Sequence, residues 1–151
     1  MALRKEWLLP LARAIVKLGA TGPVYVLGDQ TTYLHHADVI RTPKSKALLR
    51  NEARCVPDHK NSKFVSLETV LSMVGVEGYH DIDLNGEAAL KLNFSQPLPN
   101  ELFSAATIVL EIGTLEHILI LPPRLGIIVR LLKKDGLAIL LSRYPGSNMV
   151  S

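Results

Sequence analysis

Four clusters in this 151-residue chain combine residue types that can hold or transform a ligand. Gly28-Asp29-Gln30 follows the apolar run Val24-Tyr25-Val26-Leu27. A glycine there lets the backbone approach a bound group, and it serves equally as a tight turn. Asp83 stands near the end of Tyr79-His80-Asp81-Ile82-Asp83-Leu84, where a carboxylate can accept hydrogen bonds from a ribose diol. The neighbouring Asn85-Gly86 also fits Asp83 as a turn acid, and Asp81 alternates onto the same face. Asn93 ends a third run and can either read an adenine edge or cap a loop. Gly113, Glu116 and His117 follow the run from Thr107 to Ile112, and an acid beside an imidazole suggests general-base chemistry.

Other reactive residues carry less. His35 and His36 are adjacent, so on an extended strand they point apart. No third ligand accompanies them, and no metal site is expected. Cys55 lies near Arg50, Arg54 and Lys60, which would lower a thiol pKa, yet it reads equally as an ordinary thiol. The basic residues between 41 and 63 lack interleaved aromatics, so they read as a solvated face and nucleic acid is not an expected partner.

The elements that must position these residues follow from periodicity. Leu8, Leu11, Ala12, Ile15 and Leu18 mark one face of a helix over 4–19, closed by Gly19. Residues 24–27 form a buried strand after the Gly22-Pro23 turn. A short helix is expected about Ala47-Leu48-Leu49. Ser66 caps a helix carrying Leu67, Val70, Leu71 and Val74, which Gly75 ends. Strands are expected at 79–84, 89–94, 107–112 and 137–141. Between the last two, 125–132 has helix periodicity, with Lys133-Lys134-Asp135-Gly136 as its cationic last turn and terminal glycine. Apolar strands alternating with helices predict an α/β fold: a doubly wound, mostly parallel, Rossmann-like sheet in a single domain over 1–151. Ligands of such sheets bind beyond the carboxyl ends of the strands, where the clusters above lie.

Composition sets the outer bounds. Apolar residues are 48% and charged residues 21%, which excludes disorder and collagen and fits a domain with a core. A net charge of +3 permits an anionic partner without requiring one. One cysteine cannot form an internal disulfide, so a reducing compartment, the cytoplasm, is expected. No export signal is read at the start. The apolar stretch Ile118 to Leu141 contains Arg124, Arg130, Lys133, Lys134 and Asp135, so it is no membrane span. No G-x-G-x-x-G occurs, which argues against a pyrophosphate dinucleotide and for adenosine without phosphates.

The stretch Thr107-Ile-Val-Leu-Glu-Ile-Gly-Thr-Leu-Glu-His117, followed by a helix and Leu131-Leu-Lys-Lys-Asp-Gly-Leu-Ala-Ile-Leu140, resembles the fourth and fifth strands of class I S-adenosylmethionine-dependent methyltransferases. Asp83-Leu-Asn-Gly86 and Leu92-Asn-Phe-Ser-Gln-Pro-Leu-Pro99 are similar to that family's second-strand acid and its later hDLnxPLP segment. The resemblance spans roughly residues 22–143. It implies S-adenosylmethionine as cofactor, with Gly28, Asp29, Gln30, Asp83, Asn93, Gly113, Glu116 and His117 around it, and methyl transfer to an acceptor the sequence does not name. In that family the GTLEH turn lines the cofactor pocket, and its histidine is no general catalytic signature. Gly28-Asp29-Gln30 replaces the usual G-x-G, and Asn93 replaces a frequent aspartate. The family's sheet has seven strands, so the resemblance implies an incomplete core or a partner that completes it, and a homodimer is expected. Two rivals remain: a degenerate domain that binds a partner without catalysis, and a nicotinamide-dependent oxidoreductase.

Overall fold

A computed structural model describes residues 2–41, 48, 50, 56–58, 60–84, 88–94, 96–113 and 121–141 of the chain. The expected short helix about Ala47-Leu48-Leu49 lies largely outside them, as do Cys55, Asn85-Gly86, Glu116 and His117.

The first strand, β1 (Ala2–Leu3), leads into helix α1 (Lys5–Leu18). The apolar positions Leu8, Leu11, Ala12 and Ile15 are buried, and Gly19 closes the helix at φ 62° with its N–H on the Ile15 and Val16 carbonyls. Leu18 is an exception, standing 60% exposed rather than on the buried face. Strand β2 (Val24–Leu27) is buried along its whole length. Next come β3 (Thr31–Thr32) and α2 (His36–Arg41). β3 pairs in parallel with β1 as a separate two-stranded ribbon, which is too short to show a sequence period. Helix α3 (Leu67–Met73) begins as expected: the Ser66 hydroxyl accepts the Thr69 N–H at 3.2 Å.

Four more strands complete the main sheet with β2: β4 (Tyr79–Asp83), β5 (Leu90–Lys91), β6 (Ala106–Ile112) and β7 (Leu132–Leu141), with helix α4 (Leu121–Leu131) before β7. The order is β5-β4-β2-β6-β7 and every pairing is parallel. The fold is thus the doubly wound, Rossmann-like α/β sheet the alternation predicts. From β2 the chain winds outward to β4 and β5, then crosses back to β6 and β7. The winding therefore reverses between β2 and β6, and ligands of open α/β sheets bind at such a reversal.

Both faces are covered. Val24, Val26, Ile108, Leu110 and Ile112 pack with α1 and α3. Tyr25, Leu27, Ile82 and Val109 pack with Ile127, Ile128 and Leu131 of α4 and with Leu98. This two-sided burial explains the continuous run of β2 and the mostly apolar run of β6, in which Glu111 is buried as well.

Two expectations are corrected. The third run forms a strand only at Leu90–Lys91, because the chain turns at Asn93, whose carbonyl accepts the Gln96 N–H at 2.9 Å. Residues Lys133 to Gly136 are not the end of α4 but an irregularity within β7. β7 advances five positions, from Leu132 to Leu137, while β6 advances two, from Ala106 to Ile108, and Asp135 takes φ 65° to absorb the excess.

Candidate functional site

Backbone conformation shapes the carboxyl end of the sheet before any side chain does. Leu27 lies opposite Glu111, so β2 and β6 end side by side. Each is followed by a glycine with positive φ: Gly28 at 84° and Gly113 at 66°. Both expected glycines therefore flank the reversal point and leave no Cβ above it. The Gly28 N–H donates to the Ile82 carbonyl at 2.7 Å, which extends the β2–β4 ladder into the turn.

Asp83 ends β4 beside this turn. Its Oδ2 accepts the Asp29 N–H at 2.8 Å, joining the candidate ribose acid to the first loop across 54 residues of sequence. Asp81 shares its face by alternation but turns the other way, with its Oδ1 accepting the Ala89 N–H at 2.8 Å next to β5. Asp29 is in turn held by Lys60, whose Nζ lies 2.8 Å from Asp29 Oδ2 and donates to the Asp29 carbonyl at 3.1 Å. Three of the expected residues, Gly28, Asp29 and Asp83, thus form one connected unit, and Gly113 stands across the β2–β6 boundary from them.

Gln30 follows Asp29 in the same loop. It is 4% exposed, and its Nε2 donates to the Leu27 carbonyl at 3.0 Å. That amide nitrogen braces the turn from beneath. Asn93 is exposed and lines a cavity of about 200 Å³ with Leu92, Phe94, Leu98, Pro99 and Ile127. A second cavity of about 360 Å³ continues along the same segment toward Gly126 and Arg130 of α4. Neither is lined by Gly28, Asp83 or Gly113, so the apolar space lies to one side of the strand-end unit. Glu116 and His117 lie outside the described residues.

Two participants were not read from the sequence. Lys60 looked like one of several solvated cations, and its contact with Asp29 spans 31 residues. Asp58, 3% exposed, accepts the Thr32 and Lys60 N–H groups at 3.2 and 2.9 Å and thereby seats the turn that carries Lys60. A buried acid inside a polar stretch carries no periodic signal that would distinguish it from a surface acid. Among the described residues no three His, Cys, Asp or Glu side chains gather as a metal site, and no helix is long and apolar enough to cross a membrane.

The arrangement is suited to a ligand with a polar hydroxylated part and a flat apolar part. The positive-φ turns admit it close to the backbone, a strand-end carboxylate lies beside them, and apolar space adjoins. Comparison with protein-family models, with curated proteins and with solved structures finds no match for this chain.

Proposed function

We propose that this protein is an S-adenosylmethionine-dependent methyltransferase. The observation that carries the reading is the connected unit at the reversal point, in which Asp83 is joined to the Gly28-Asp29 turn at the end of β4. The residues fit the cofactor in three respects. Gly28 and Gly113 keep the floor of the crevice free of side chains. Asp83 is an ordered carboxylate of the kind that binds a ribose diol. The cavity of about 200 Å³ beside Asn93 is apolar with an amide at its rim, which suits a purine ring. The missing glycine fingerprint weighs against a dinucleotide.

When bound, the cofactor supplies an electrophilic methyl group on a sulfonium. The chain's own task is positioning, which needs no dedicated base. In this reading Asp83 and Asn93 orient the adenosine, and Lys60 keeps the Asp29 turn in place. One observation favours the non-enzymatic rival: Asp29 and the Gln30 amide nitrogen are turned to internal partners in a loop that lacks the family's second glycine. We place the protein in the cytoplasm, supported by its single cysteine. We also propose a homodimer, because among the described strands β7 pairs only with β6, while Val129 and Leu140 are 70% and 51% exposed.

The test is calorimetric titration of the full chain with S-adenosylhomocysteine and, separately, with NAD. Saturable binding of the first alone supports the proposal. Binding of NAD alone replaces it with the oxidoreductase reading, and binding of neither leaves the interaction-domain reading. Sedimentation at micromolar concentration tests the assembly, and a well-behaved monomer refutes the homodimer.

A further inference from the structure

Outside the crevice, the surface beside the Asp29 turn carries a cluster of rings that the sequence scatters. Phe64 stands edge-on to Tyr33 with centroids 5.4 Å apart at 77°, and the His35 ring lies 5.0 Å from Phe64. Tyr33 is 55% exposed and His35 is exposed as well. Phe64 is half-buried, so it is the Tyr33 and His35 rings that stand in water, where a flat ligand can cover them.

The scaffold under them is firmly bonded. The Tyr33 N–H donates to the Leu3 carbonyl at 2.8 Å, and the Asp58 N–H to the Phe64 carbonyl at 2.8 Å. The Val65 N–H donates to the Leu34 carbonyl, also at 2.8 Å, which ties the two ring-bearing segments together. His35 is oriented by its Nδ1, which donates to the Lys63 carbonyl at 3.1 Å.

Charge adds direction. The acids in this neighbourhood are already committed. Asp29 pairs with Lys60, Asp58 is buried on two backbone N–H groups, and Asp38 pairs with Lys5 at 2.6 Å. Lys63 is exposed and makes no ion pair among the described residues. The surface thus presents ring faces and a cation, with Asp29 and Asp38 ion-paired and Asp58 buried.

We propose that Tyr33, His35, Phe64 and Lys63 form a binding site for a planar aromatic anion, in which the ring stacks on the Tyr33–Phe64 pair and the charge meets Lys63. The site goes beyond the cofactor reading and does not depend on it. The shared ligand chemistry, a flat ring bearing one anionic group, is met by a nucleotide or by an aromatic carboxylic acid. Tyr33 stands four positions after Asp29, so the site lies within about 14 Å of the crevice.

The experiment is a titration of the full chain followed by NMR, with thymidine 5′-monophosphate and 4-hydroxybenzoate as probes and thymidine and 4-methylphenol as their uncharged counterparts. Saturable binding of at least one anion, with shifted Tyr33 and Phe64 ring signals and weaker binding of its counterpart, is expected; which anion binds distinguishes phosphate from carboxylate. Tyr33→Ala and Lys63→Gln should each weaken binding roughly fivefold or more, the size of one lost stacking or charge contact. Both side chains are exposed, and a thermal melt confirms that the variants fold. Absence of saturable binding by either anion, or binding unchanged in Tyr33→Ala, overturns the proposal. An oligothymidylate that binds a hundredfold tighter than the mononucleotide overturns the single-ligand site in favour of a nucleic-acid strand.

Discussion

Asp83 is where scaffold and proposed ligand contact coincide, so its removal should be visible in two measurements of different size. The carboxylate accepts the Asp29 N–H at 2.8 Å in a partly buried setting. A hydrogen bond to a charged acceptor contributes about 1.5–3 kcal/mol. Asp83→Ala deletes that bond and, in the proposed mode, the acceptor for the ribose diol. Affinity for S-adenosylhomocysteine should fall about 10- to 100-fold, since each 1.4 kcal/mol is a factor of ten. Stability should fall by about 1–2 kcal/mol, and at roughly 2–4 °C per kcal/mol for a domain of this size the melting temperature drops by several degrees. Asp83→Asn keeps the shape and one acceptor oxygen, so it should melt near the wild type yet still bind more weakly. Asp81→Asn is the control: its carboxylate faces Ala89, and affinity should not change. Calorimetry and thermal melts of the three variants decide the matter. If both Asp83 variants bind within twofold of the wild type while Asp83→Ala melts lower, Asp83 only fastens the turn, and the ribose argument is wrong.

Three further outcomes follow from other contacts. Lys60→Met removes the ion pair at 2.8 Å from Asp29 without touching the proposed ligand, so it should weaken S-adenosylhomocysteine a few-fold through the loosened turn, with under about 1 kcal/mol lost from stability because the lysine is half exposed; calorimetry with a parallel melt separates the two effects. Gly22→Ala should destabilise by at least about 1–3 kcal/mol, measured by urea unfolding, because a Cβ there would stand 2.0 Å from Thr107 Oγ1 at the start of β6. Asp38 is held below the ordinary carboxylate value of 3.8, first by the Lys5 ammonium and then by the His35 N–H. A depressed carboxylate stabilises the fold above the unfolded value and loses that contribution as pH falls through the folded one. The stability advantage over Asp38→Asn should therefore be full at pH 7 and shrink as the pH is lowered past about 4, and urea unfolding across that range checks the sign.

The parts of this molecule that were legible in the sequence are those whose cause is local. β2 and β6 are buried on both faces, so each must be largely apolar, and each reads so despite Glu111 in β6. The Ser66 cap lies three residues from the N–H it accepts, and a cap needs only that spacing. Gly28 and Gly113 stand where the chain must leave a strand with positive φ, a demand on the residue itself. The misreadings occur where local chemistry serves two structures. Lys133-Lys134-Asp135-Gly136 has the composition of a helix end, yet β7 uses the same residues to absorb a register shift against β6. β1 and β3 are two residues each, shorter than any period.

Direction, as opposed to residue type, is set by neighbours distant in the chain. Asp81 and Asp83 look alike in the sequence: two acids on one face of one strand. In the fold, β4 lies between β5 and β2, so one acid turns to Ala89 and the other to Asp29. Only the second reaches the reversal point. The same logic separates Lys60 from the other cations of its segment, because buried Asp58 seats its turn against β3 and thereby sets its ammonium on Asp29. It also gathers Tyr33, His35 and Phe64, which the sequence spreads over 32 positions, onto one surface. A site built on strand ends is therefore legible as a set of candidates. The order of the strands then selects among them, because it decides which candidates share an edge.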